Sequence, residues 1–222
     1  MSKLLVFDVD GTFLNSIHYF GQYVLEYSRK QGWGDVCVES VLLGYSDPDS
    51  YDFGWGVSKK EQKVMFHQAC KSFEENITKN VPNLYEGAKE TLIKLKDMGY
   101  SLAVVTSKSE KPLITTFEKH QLDGLFVSQR NYDDIERRGE KEKPEPDMLL
   151  SVMNELGFSN DNTIMIGDTF MDVHMGNNAG AKTIAVTWGA HSKEELEKAN
   201  PTYIVGGEFS NILSLIEKEF PL

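Results

Sequence analysis

Two carboxylates, Asp8 and Asp10, stand one residue apart in "DVDGT", directly after the apolar run "KLLVF". A strand that must be buried gains nothing from negative charge at its carboxyl end, so the pair calls for a chemical reason. Two more acids, Asp168 and Asp172, occur in "GDTFMD", behind a second apolar run, "NTIMIG". Hydroxyls and lysines accompany them. Thr106, Ser107 and Lys108 follow "SLAVV", and Lys143 lies in "EKEKPEPDM". Like unit charges about 4 Å apart repel by roughly 4 kcal/mol at an effective dielectric of about 20. A hard cation removes that cost. Mg²⁺ takes one or two carboxylates and keeps its other positions for water and substrate phosphate. Such a set suits phosphoryl transfer. One Asp attacks phosphorus and forms an aspartyl-phosphate, which splits hydrolysis into two easier steps. The second Asp, two residues on, protonates the leaving oxygen and then deprotonates water. The Thr106 hydroxyl and the Lys143 ammonium stabilise charge on the phosphoryl oxygens.

These groups must be carried to one edge by regular elements. Four runs, Lys3–Phe7, Ser101–Thr106, Asn162–Gly167 and Lys182–Thr187, are short, rich in Val, Ile and Leu, and do not alternate with polar residues. That is the pattern of strands in a parallel sheet covered on both faces. "GLFVS" (Gly124–Ser128) is a weaker fifth strand and "TYIV" (Thr202–Val205) a sixth. Amphipathic helices stand between them. In "YEGAKETLIKLKDMGY", Ala88, Leu92, Leu95 and Met98 share one face, and Gly99 supplies the stop. "SEKPLITTFEKHQL", "PDMLLSVMNELGF" and "NILSLIEKEF" read likewise. The alternation predicts an α/β fold with a doubly wound, mainly parallel sheet. In such a sheet ligands bind beyond the carboxyl ends of the strands, where Asp8, Asp10, Thr106, Ser107 and Asp168 fall.

From Asn15 to about Pro82 the alternation lapses. Two helical patterns, "SIHYFGQYVLEYSRKQG" and "SKKEQKVMFHQACKSFEENITKN", flank the loop-like "YSDPDSYDFGWG". A structureless segment of that size is out of place inside a sheet domain. Residues 15–82 therefore read as a helical cap domain inserted into a core of residues 1–14 and 83–222. Trp33, Tyr51, Phe53 and Trp55 suit the core of that cap. The segment Tyr45–Trp55 is where the cap would present selecting groups to the site.

The net charge of −11 over 222 residues argues against nucleic acid and anionic membrane as partners, since both need basic surface. An anionic substrate then requires positive charge supplied locally. Cys37 and Cys70 lie in no metal-binding or redox pattern, which suggests reduced thiols in a cytoplasmic protein. "LLVF" is too short for a signal peptide, and no stretch approaches the roughly 20 apolar residues of a membrane span. A monomer is expected, with an exposed apolar cap face as the route to a dimer.

Taken in order, "DVDGT", "VVTSK", "KPEPD" and "GDTFMD" resemble the four motifs of the haloacid dehalogenase superfamily. "LYEGAKETLIKLKDMGYSLAVVTSK", "NAGA" (Asn178–Ala181) and the insertion are similar to its phosphoglycolate phosphatase-like branch, in which a small helical cap closes over the site. The resemblance implies a Rossmann-like core, Mg²⁺ as cofactor and a small phosphorylated metabolite as substrate. It implies Asp8 as nucleophile and metal ligand, and Asp10 as general acid/base with its backbone carbonyl on the metal. Thr106 matches the phosphate-binding hydroxyl, and Lys143 the lysine that orients nucleophile and phosphate. Asp168 matches the remaining metal carboxylate. Asp172 matches the last acid, in the outer metal shell or bonded to the lysine. Gly11, Thr12 and Ser107 complete the expected phosphate-binding set.

Dehalogenases of the superfamily lack an acid at the position of Asp10, so phosphate chemistry is favoured. A phosphosugar mutase of the same fold and a non-catalytic phosphate-binding or regulatory relative are the alternatives. Plain structural readings stand beside the chemical ones. Asp172 suits the first turn of a helix. Lys141 competes with Lys143 in a charged run. Lys108 reads as a surface residue, and His18 as a helix-surface group that at most touches substrate.

Overall fold

The computed structural model describes residues 2–44 and 52–222. Six parallel strands form one sheet: β1 (Leu4–Phe7), β2 (Ser101–Val105), β3 (Ser128–Arg130), β4 (Thr163–Gly167), β5 (Lys182–Val186) and β6 (Tyr203–Val205). Their order is β3-β2-β1-β4-β5-β6. The chain winds from β1 through β2 to β3, then returns to the other side of β1 with β4. The strand order therefore reverses beside β1, where doubly wound sheets open a binding crevice.

The unbroken apolar character of β1 has a direct cause. Successive side chains point to opposite faces, and both faces are covered. Leu5 and Phe7 pack with Leu102, Val104, Ile164 and Ile166. Above that face lie helices α4 (Ala88–Asp97), α5 (Glu110–His120) and α10 (Asn211–Glu219), which supply Leu92 and Leu95, Leu113 and Phe117, and Ile212 and Ile216. Leu4 and Val6 pack on the other side with Ala103, Val105 and Met165. There α7 (Asp147–Leu156) and α8 (Phe170–Asn178) contribute Met148, Val152 and Met175. Two short helices, α6 (Tyr132–Arg138) and α9 (Lys193–Lys198), follow β3 and β5.

Three helices, α1 (Ile17–Gln31), α2 (Val38–Gly44) and α3 (Lys59–Ile77), lie between β1 and β2 in sequence, ahead of α4. They have a core of their own, with Phe20 and Val24 of α1 against Phe66, Ala69, Phe73 and Ile77 of α3. Phe53 stacks on Phe66 at 4.6 Å between ring centroids. The Trp55 indole N–H donates to Ser28 Oγ at 2.8 Å. Helix α3 starts at a capping box made by Ser58 and Glu61, a pairing that satisfies two of the helix's orphan N–H groups. The two chain crossings to the sheet run side by side: Asn15 N–H bonds Asn83 carbonyl at 2.9 Å, and Leu14 bridges Leu84 antiparallel.

Two sequence expectations shift. The fifth strand is Ser128–Arg130, not Gly124–Ser128. Leu125 and Phe126 pack as loop residues against the core. The ladder instead takes a polar segment whose buried Arg130 reaches Glu155 and Ser151 on α7. Met98 lies beyond the end of α4 and is 37 % exposed, unlike Leu92 and Leu95. No disulfide joins Cys37 and Cys70. Among the described residues no helix is long and apolar enough to cross a membrane.

Candidate active site

Asp8 continues β1 by one residue, its N–H bonded to Ile166 carbonyl at 2.9 Å. Beyond it the chain turns sharply, and Gly11 (φ 76°) makes the turn. That conformation suits glycine, and space requires it as well. A Cβ on Gly11 would lie 2.1 Å from Asp168 Oδ2, and one on Gly189 2.2 Å from the same atom. The turn thus brings the ends of β1, β4 and β5 together around one carboxylate.

Asp168 is wholly buried. Its Oδ1 accepts from the Thr12 hydroxyl at 3.0 Å, and its Oδ2 from Ala190 N–H at 2.8 Å. Thr12 is fixed in turn, because the Trp188 indole donates to its carbonyl at 2.9 Å. Asp172 sits in the first turn of α8. Its Oδ2 closes a capping box with Thr169 at 2.7 Å from the hydroxyl. Its Oδ1 accepts from Lys143 at 2.6 Å. Lys143 also bonds Asp8 Oδ1 at 2.7 Å. Asp172 therefore caps α8 through one oxygen and meets Lys143 through the other. Lys141, the competing lysine, stays exposed.

Oxygens of Asp8, Asp168 and Asp172 lie within 4.8 Å of one another, and all three residues are buried. Burial pushes the Asp8 carboxyl up to about 7; Lys143 opposes this, while Asp172 and Asp10 reinforce it. Asp168 is also pushed well above the carboxylate range, by burial first and then by Asp8 and Asp172. Burial works against the Lys143 charge, yet Asp172 and Asp8 outweigh it and hold the ammonium above its ordinary range. These directions agree: one ammonium does not balance three clustered carboxylates. The missing positive charge and the all-oxygen donors fit a hard divalent cation.

Thr106 directly follows β2 and is buried, its N–H bonded to Arg130 carbonyl at 3.0 Å. Thr106, Ser107, Lys143, Asp8, Asp10 and Asp172 all line a cavity of about 610 Å³. Gly11 and Thr12 do not line it; the Thr12 hydroxyl is committed to Asp168. His18 is exposed and outside the lining. Lys108 is no surface residue. It is buried, and its Nζ lies 2.9 Å from both oxygens of Asp10. Helix α3 forms the opposite wall with Phe66, His67, Cys70, Lys71, Phe73 and Glu74. Glu74 accepts from the Ser109 hydroxyl at 2.9 Å. Of the expected selecting segment Tyr45–Trp55, Phe53 and Trp55 belong to the apolar cluster of α1 and α3, and Tyr45–Tyr51 lie outside the described residues. The α3 wall was missed because its residues recur at helical spacing and look like one more amphipathic face.

The chain is 28 % identical over 222 residues to pyrophosphatase PpaX of Bacillus mycoides, covering 96 % of each. It is 37 % identical over 210 residues to "Probable phosphatase IndB" of Dickeya dadantii, covering 92 % of this chain and 90 % of that one. A "predicted phosphatase" from Clostridium acetobutylicum has a TM-score of 0.77 at 25 % identity, covering all of both chains. A "predicted phosphoglycolate phosphatase" from Haemophilus somnus shares the fold, with a TM-score of 0.78 at 24 % identity over 96 % of this chain and 97 % of that one. The family model described as haloacid dehalogenase-like hydrolase matches residues 5–186. That match runs from β1 to β5, across the whole edge that carries these groups, and the chain belongs to the haloacid dehalogenase-like hydrolases.

Proposed function

We propose that this phosphatase hydrolyses phosphomonoesters of small metabolites through a covalent aspartyl-phosphate on Asp8. The observation that carries the reading is the buried cluster of Asp8, Asp168 and Asp172, in which Asp8 and Asp172 share Lys143 and line a cavity of about 610 Å³. Asp8 Oδ attacks phosphorus while the bond to the leaving oxygen breaks, and Asp10 gives that oxygen its proton. Asp10 then takes a proton from water as the water oxygen attacks phosphorus and frees Asp8. The Thr106 and Ser107 hydroxyls and the Lys143 ammonium hold the phosphoryl oxygens where charge gathers. Asp8, Asp168, Asp172 and the Asp10 backbone carbonyl would hold Mg²⁺. Bound there, the ion supplies positive charge to the phosphoryl oxygens. Helices α1–α3 act as a cap of residues 15–82 over a core of residues 1–14 and 83–222, opening for entry and product release about the two crossings. A separate apolar cluster and a cavity walled by both parts support this.

The test is phosphate release from p-nitrophenyl phosphate and a panel of phosphometabolites, with Mg²⁺ and with EDTA. Release should require the metal and vanish in Asp8→Asn. The pyrophosphatase PpaX relatives make pyrophosphate the second substrate class for the panel. Metal-independent release, or turnover surviving Asp8→Asn, would overturn the mechanism.

A further inference from the structure

Asp10 has a lysine of its own. Lys108 Nζ lies 2.9 Å from Oδ1 and 2.9 Å from Oδ2 of Asp10, and the side chains are only 3 % and 7 % exposed. Lys143, by contrast, bonds Asp8 and Asp172 through one oxygen each. The two carboxylates of "DVD" are thus committed to separate ammonium groups. Lys108 is itself fixed at the backbone. Its N–H donates to Thr106 Oγ1 at 3.2 Å, and its carbonyl accepts from Tyr132 N–H at 3.0 Å. The turn that presents the Thr106 hydroxyl also decides where the Lys108 ammonium ends. A carboxylate held at one oxygen can still rotate; one held at both has its plane and direction set.

We propose that Lys108 is the positioning residue for Asp10, a role that rests on the assignment of Asp10 as general acid/base above. In the first half-reaction an Asp8 oxygen bonds to phosphorus, the bond from phosphorus to the leaving oxygen breaks, and the Asp10 proton passes to that oxygen. Asp10 is then a carboxylate, the species that Lys108 holds with both oxygens. In the second half-reaction the water oxygen bonds to phosphorus, the bond to Asp8 breaks, and the water proton returns to Asp10. Lys108 keeps one carboxyl group aimed at the same place through both halves. The rival explanation is purely structural: Lys108 neutralises a buried charge and does nothing for the reaction.

Leaving groups separate the two. p-Nitrophenol departs without a proton, whereas the alcohol of an alkyl phosphate needs one. General acid catalysis contributes about 10²–10⁴-fold where it is needed. Wild type, Lys108→Met, Asp10→Asn and the double variant are compared by kcat/KM on p-nitrophenyl phosphate and on a primary alkyl phosphate. Lys108→Met should lose at least about tenfold more on the alkyl ester than on the aryl ester. In the Asp10→Asn background the same change should cost nothing further. Lys108→Arg keeps the charge but not the placement, so it should show the same graded loss; it serves if Lys108→Met does not fold. Equal fractional losses on both esters, additive losses in the double variant, or an Arg variant with the wild-type ratio would each overturn the proposal. The parent reading fails separately, by phosphate release that survives Asp8→Asn.

Discussion

The carboxylate of Asp168 shows how much of this site is specified atom by atom. It is enclosed by two glycines and held by one hydroxyl and one N–H. Thr12→Val keeps the shape and takes the hydroxyl donor away from the buried Asp168 Oδ1, a cost of about 1–3 kcal/mol. Urea unfolding should show a loss in that range, and Mg²⁺ titration of activity should need more metal; an unchanged midpoint and metal requirement would refute the assignment. A second prediction concerns pH. His191 is 1 % exposed, stacks on Phe170 at 4.7 Å and accepts Phe170 N–H at Nδ1. Burial holds its pKa below the ordinary value, with Glu195 and Asp172 pulling the other way. The unfolded chain then binds a proton near pH ~6.5 that the folded chain resists. Stability should therefore fall as pH drops through that value. Between about pH 8 and pH 6 the wild type should lose more stability than His191→Leu, whose site does not titrate. Equal losses in denaturant melts at the two pH values would clear His191 of the effect. At this scale the four aspartates and Lys143 stand out in the sequence because each lies in a short motif, whereas Glu74, which also lines the cavity, does not. Lys108 was missed, although two acids facing one motif lysine already left Asp10 without a counterion.

Elements were legible where one physical signal dominated. The buried strands announce themselves because both faces of the sheet are covered, so apolar residues run unbroken. β3 did not, since its ladder is built on Ser128, Gln129 and Arg130, with the charge of Arg130 balanced by Glu155 across the gap to α7. α6 escaped too, having no buried residue and only a capping box of Asn131 and Asp134 to mark it. The two helices flanking the loop-like stretch were legible as helices, but the job of α3 was not. One side of it holds the apolar cluster and the neighbouring side walls the cavity, and a hydrophobic stripe reports only the first. The two packing clusters make an element-scale prediction. Ile77, 1 % exposed at the end of α3, belongs wholly to the α1–α3 cluster. Ile77→Ala should cost about 2–5 kcal/mol and speed hydrogen exchange in α1 and α3. Amides of β1, β2 and β4, which rest on the sheet's own clusters, should keep their protection. If sheet and helical amides lost protection together, the two cores would be one cooperative unit.

At the scale of the whole molecule, two crossings and a few polar contacts connect the helices to the sheet. The crossings are tied to each other by Asn15 and Asn83 and by Leu14 and Leu84. The return strand of the pair is gripped by α5, where Lys119 and His120 bond the carbonyls of Val81 and Pro82. Across the cavity the contact is Glu74 on Ser109, which accepts from both the hydroxyl and the N–H at the start of α5. The Ser109 contact is one residue from Lys108 and three from Thr106, so the contact between α3 and α5 and the turn that carries the Thr106 hydroxyl lie within the same few residues. The cap motion proposed above would break the bonds of the Ser109 hydroxyl and N–H to Glu74 and leave both apolar cores whole. A reversible link tests it. In a Cys37→Ser, Cys70→Ser, Glu74→Cys, Ser109→Cys variant, the two introduced thiols would be joined by a short bis-thiosulfonate reagent, which releases sulfinate and leaves disulfides that a reductant cleaves. Turnover should fall by about tenfold or more on linking and return on cleavage, while thermal stability rises. Turnover that persists in the linked protein would mean that substrate and product pass without the helices moving, and that the Glu74–Ser109 contact is a fixed wall rather than a latch.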